Sequence, residues 1–140
     1  MATAPDYEAL DRPFIHPNDM PDLHALRAYG TCMEPLLSDG CVLAFDKRET
    51  PEIGDIVSLI FTREAAQRWK LPGLVKKLAM PLPALDGQGE AVGLVVVDQI
   101  NPPRRYCIPT TDVLAVHKFV GVAESTGPGM ARYRPQAKEA

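Results

Sequence analysis

The stretch "AYGTCMEPLLSDGCVLAFD", residues 28–46, decides how this chain is read. Upstream of it "LHALRAY", residues 23–29, alternates apolar and polar side chains, the period of a half-buried strand. Gly30 ends that strand, and "EPLLSDG" is a turn punctuated by Pro35 and Gly40. "CVLAFD" is then a second strand. A small side chain on a sharp turn between two strands is where a hydrolase places a nucleophile. Serine is the usual occupant of such a turn, and here the residue is Cys32.

Working outward, the same pattern continues. "IVSLIFT" is a third strand, apolar on both faces and therefore central. "REAAQRWKLPG", residues 63–73, holds a helical turn before Pro72. "LVKKLAM" is a fourth strand, and the valine-rich "VGLVVVDQ" a fifth. "NPPRRYCI" reads as a turn into an edge strand, since proline cannot sit in a central ladder. "VLAVHKFVGVA", residues 113–123, is a last apolar strand, long enough to bend. Short strands split by Gly and Pro indicate a mostly-β single domain. The expected organisation is an extended polar arm over residues 1–22, a β domain over 23–124 and a flexible tail over 125–140.

Bulk composition narrows the function classes. The chain has 140 residues, enough for one modest core, and 46% of them are hydrophobic. No apolar run approaches the ~20 residues of a membrane span. The first residues, "MATAPDYEALDRPF", have no apolar core of a signal peptide, so a cytoplasmic location is expected. A net charge of −3 without a Lys/Arg block argues against direct nucleic-acid binding. Three cysteines at unpaired spacings fit reduced thiols better than a disulfide framework. Cys32 and Cys41 lack zinc-ligand spacing and His16, His24 and His117 are scattered, so neither a metal nor a cofactor is expected.

Four segments occur together in order: "GTCMEP" at 30–35, "SDGCVLAFD" at 38–46, "GDIVSLIF" at 54–61 and "LVKKL" at 74–78. They resemble the C-terminal domain of LexA-type repressors and UmuD-type mutagenesis proteins, whose bent antiparallel sheets are shared with bacterial signal peptidases. The resemblance covers roughly residues 23–124 and runs on through "VDQINPPRRYCIPTTDVLAVHKFVGV". It implies a Ser-Lys peptidase dyad, with Cys32 at the nucleophile position and Lys76 as base. It also implies an oxyanion hole built by backbone N–H groups of the turn at Thr31 and Met33. Lys77 faces the other way, because side chains alternate along a strand.

The chemistry explains the residue types. Burial among apolar strands favours a neutral lysine, which takes a proton from the nucleophile and returns it to the leaving amine. Cysteine needs that base less than serine, since a free thiol titrates near pH 8.5. Sulfur is also larger and a better leaving group, so a serine-shaped site holding sulfur is expected to turn over slowly.

Three positions depart from the family pattern: Thr31 and Cys41 stand where acids are usual, and Cys32 replaces serine. No small-residue–Gly bond precedes Cys32 in a position to reach it, and no DNA-binding module is evident. The leading expectation is therefore a dimerising regulatory module with an altered Cys-Lys site. The last strand supplies its dimer edge through Val113, Ala115, His117 and Phe119. An SOS- or phage-linked bacterial regulator that binds another repressor fits the same resemblance. The rival expectation is an active Cys-Lys peptidase that cleaves a partner protein or peptide in trans.

Overall fold

The computed structural model describes residues 16–28, 30, 32–37, 39–83, 85, 93–127 and 130–133. Eight antiparallel strands carry the fold: β1 (Leu23–Arg27), β2 (Val42–Asp46), β3 (Ile56–Phe61), β4 (Gly73–Leu78), β5 (Leu94–Gln99), β6 (Arg104–Pro109), β7 (Val113–Gly127) and β8 (Met130–Arg132). Their order across the sheet is β1-β2-β7-β3-β4-β5-β6, with β8 paired to β7. The domain is β-rich, as its alternating and valine-rich segments predict. β3 is buried at all six positions and lies between β7 and β4, which matches its two apolar faces. β6 is an edge strand, as its Pro-Pro entry requires.

One helix, α1 (Arg63–Trp69), follows β3. Thr62 caps it, its side chain accepting a hydrogen bond from the Ala65 N–H at 3.1 Å. Lys70 ends it in a left-handed conformation. Ala65 is fully buried, and Trp69 stacks on Phe61 with ring centroids 5.0 Å apart. Trp69 is thus a cap on the edge of the core.

β7 organises the sheet. Its first half pairs with β3 through Val113–Lys118, and its second half pairs with β2 through Lys118–Ala123. Bulges at Ala44/Phe45 and Ile60/Phe61 take up the bend. The hydrophobic core divides accordingly. One cluster lies over β3–β6 and α1, around Val57, Leu59, Phe61, Val95, Val97 and Ile108. The other joins Leu43, Phe45 and Ile56 to Met33 and Leu37 of the turn after β1.

The expected dimer strand is engaged within the sheet: Val113, Ala115 and His117 pair with β3 and Phe119 pairs with β2, each along one side of the strand. Of these residues Val113 and His117 have buried side chains, which takes them out of an exposed dimer face. The tail boundary also moves, because β7 continues to Gly127 and β8 folds back along it. The Tyr133 ring covers Gly121 and leaves no space there for a side chain, and its hydroxyl donates to the Val120 carbonyl at 2.7 Å. In the arm, Lys47 ties residues 17–20 to the body by donating to the carbonyls of Pro17 and Met20.

Candidate functional site

β1 ends at Arg27, yet its pairing with the next strand runs on through Ala28 N–H to Cys41 O and Gly40 N–H to Ala28 O. Between these bonds the chain loops out. Gly30 turns at φ 83°, with its N–H held by the Asp39 carboxylate at 2.8 Å. Met33 and Leu37 then drop into the second core cluster and fix the loop from below. The Cys32 carbonyl accepts two N–H groups of the turn between β5 and β6, from Ile100 at 3.0 Å and Asn101 at 2.8 Å. Cys32 is thereby pinned from both ends of the sheet.

β4 supplies the other member. Within "LVKKL", Lys76 is 6% exposed while Lys77 faces solvent, the split that strand alternation predicts. Lys76 Nζ lies 3.3 Å from Cys32 Sγ, although the two residues are 44 positions apart in sequence. Among the described residues the ammonium has no carboxylate partner. The Tyr106 ring on β6 lies beneath it, with Nζ 5.9 Å from the centroid. Tyr106 was not singled out from the sequence. Its role depends on a reach across β5, for which a linear pattern carries no signal.

The pair opens into a cleft of about 480 Å3. One wall is β1, His24 to Arg27; the other is formed by Ser58 and the run from Leu71 to Lys76. Among the described residues no strand pairs with the β1 edge that faces away from β2. The cleft combines apolar walls with a thiol–amine pair. Of the remaining expected site residues, Met33 is buried next to Cys32, and Thr31 lies outside the described residues.

His117 is 4% exposed, and among the described residues its Nδ1 has no hydrogen-bond partner. It meets His24 edge-on at 5.0 Å between ring centroids. Burial pushes His117 down to about 4, with His24 and Lys47 adding to the effect. Burial also lowers His24, against the opposing carbonyls of Pro21 and Asp22. Burial thus favours the neutral form of both rings, and His24 lines the cleft. Arg104 and Arg105 stay at the surface, where Arg105 pairs with Asp98.

No family model, curated protein or solved structure matches this chain. Among the described residues no helix is long and apolar enough to cross a membrane.

Proposed function

We propose that this protein is a peptidase of the Cys-Lys type that cleaves an extended segment of a partner protein in trans. The observation that carries this reading is the 3.3 Å contact between Cys32 Sγ and Lys76 Nζ at an open cleft. A structural cysteine and a solvated lysine have no reason to meet, since burying an amine without a carboxylate is costly. The resemblance to LexA-type and UmuD-type domains supports the same assignment of roles. The burial of Val113 and His117, expected on a dimer edge, favours this reading over that of a dimerising module.

In this mechanism an extended substrate segment lies along the cleft between β1 and β4, with its backbone running past Cys32. The pair exchanges one proton, leaving a thiolate beside an ammonium. The thiolate attacks the scissile carbonyl, and backbone N–H groups of the Cys32 turn receive the oxyanion. Lys76 returns the proton to the departing amine. Water then hydrolyses the thioester, with the neutral amine as base.

The test compares thiols within one molecule. Cys107 is exposed and serves as the ordinary reference, whereas Cys32 and Cys41 are half-buried. Iodoacetamide at pH 7 followed by peptide mass spectrometry should label Cys32 fastest, despite its lower exposure. Lys76→Ala should remove that advantage while the Cys107 rate stays constant. A Cys32 that is labelled more slowly than Cys107 in both proteins sinks the dyad. Candidate partner proteins cut by the wild type should survive intact with Cys32→Ala.

A further inference from the structure

We propose that the Cys32–Lys76 pair is also a peroxide-sensitive switch, in which oxidation joins the two side chains through a reversible sulfur–nitrogen bond. This rests on the pairing of the two residues in the proposed peptidase site, not on cleavage itself. A serine at the same turn has no accessible oxidation chemistry, so the cysteine adds a property that the hydroxyl lacks.

Two observations meet at this point. Cys32 is half-buried on a cleft wide enough to admit a peroxide. Lys76 is more than nine-tenths buried, and its nitrogen is directed at the sulfur at 3.3 Å. That separation lies in the range of about 3–3.5 Å for reacting atoms held in a near-attack arrangement. Neither Cys41 nor Cys107 is disulfide-bonded in this fold.

The chemistry balances with one equivalent of hydrogen peroxide. The Cys32 thiolate attacks one peroxide oxygen, the O–O bond breaks, and the leaving hydroxide takes a proton from the Lys76 ammonium, giving a sulfenic acid, water and a neutral amine. A sulfenic acid condenses with a nearby nitrogen. The lone pair of neutral Lys76 Nζ attacks Sγ, the S–O bond breaks, and hydroxide leaves with an amine proton as a second water. The net change is loss of one hydrogen from the thiol and one from the amine, with sulfur oxidised by two electrons and peroxide reduced by two. Nucleophile and base are both consumed, so the site is silent. A small thiol reverses the link by attacking Sγ and expelling the amine, and a second thiol releases Cys32. Engaging Sγ in the sulfur–nitrogen bond caps the sulfenic acid and protects Cys32 from further oxidation.

The experiment treats the full chain with hydrogen peroxide, removes the excess with catalase, blocks free thiols and maps tryptic peptides by mass spectrometry. The expected product joins the Cys32 peptide to the Lys76 peptide, two hydrogens lighter than their sum, with trypsin unable to cut after Lys76. Dithiothreitol should dissolve it, and Lys76→Met should not form it. Three results overturn the proposal: unlinked Cys32 sulfinic acid, a Cys32–Cys41 disulfide, or a joined product that retains the oxygen. Detection in the wild type is decisive even if Lys76→Met folds poorly. A link that forms in a protein whose reduced state cleaves nothing removes the peptidase reading and leaves the switch. Cleavage without a link does the reverse.

Discussion

At the residue scale the site is one buried amine and what surrounds it. Alternation in "LVKKL" separates two adjacent lysines, the resemblance to the LexA-type family singled out Lys76, and the structure buries Lys76 and exposes Lys77. The contact with Tyr106 was not legible, because β5 lies between β4 and β6 in the sheet. Yet that ring has a physical role to play. Its face favours a positive charge, by about 0.5–2 kcal/mol depending on desolvation. With Nζ 5.9 Å from the centroid, the Tyr106 ring is placed to stabilise the charge that Lys76 would gain in the proposed mechanism. Tyr106→Leu should slow Cys32 alkylation at pH 7 by about 2- to 10-fold, since each 1.4 kcal/mol is about tenfold. Tyr106→Phe keeps the ring face and should keep the rate. A merely space-filling tyrosine is revealed if the leucine variant alkylates as fast as the wild type.

At the scale of elements, the sequence located every strand of the β1–β7 path, but not how β7 is shared between its neighbours. The apolar character on both faces that marked β3 as central applies equally to "VLAVHKFVGV" in β7. The edge assignment came from the resemblance, whereas the residues themselves pointed inward. What the pattern could not carry is the division of β7 between two partners, since that depends on bulges in β2 and β3. The junction of β3 with β4 is equally a matter of three-dimensional fit. Gly73 opposes Ile60, and a Cβ added there would collide with the Leu59 carbonyl oxygen. Backbone cannot swing aside as a side-chain tip can, so overpacking strain of about 1–3 kcal/mol is expected. Gly73→Ala should lower the urea midpoint with little change in slope, because the surface exposed on unfolding is the same. An unchanged midpoint would mean that β4 shifts freely against β3, and the 3.3 Å geometry at Lys76 would then be soft.

For the whole molecule, the two histidines make stability depend on pH in a defined window. His24 and His117 were scattered in sequence, and the fold brings them together across β2. Both are lowered by burial; Lys47 adds to this, and Asp46 opposes it at His24. The folded state therefore prefers the neutral rings, while the unfolded chain binds protons below about pH 6.5. In that range the unfolded state holds more protons, so stability rises with pH. The stabilisation is complete above pH 6.5 and is lost progressively as pH falls toward about 4, the value for His117. Integrated over that interval, His117 alone accounts for about 2–3 kcal/mol. Asp46 and Asp98 act lower on the scale. Hydrogen bonds from Arg48 and Arg105 lower their carboxyls, so their contribution is lost only as pH falls below the unfolded carboxylate range. Urea unfolding at pH 7 and pH 4.5 should therefore differ markedly in the wild type. His117→Leu, which removes a buried ring nitrogen without a partner, should flatten the difference between those two values. A slope of the same size in the variant would assign the acid sensitivity to His24 or to the carboxylates instead.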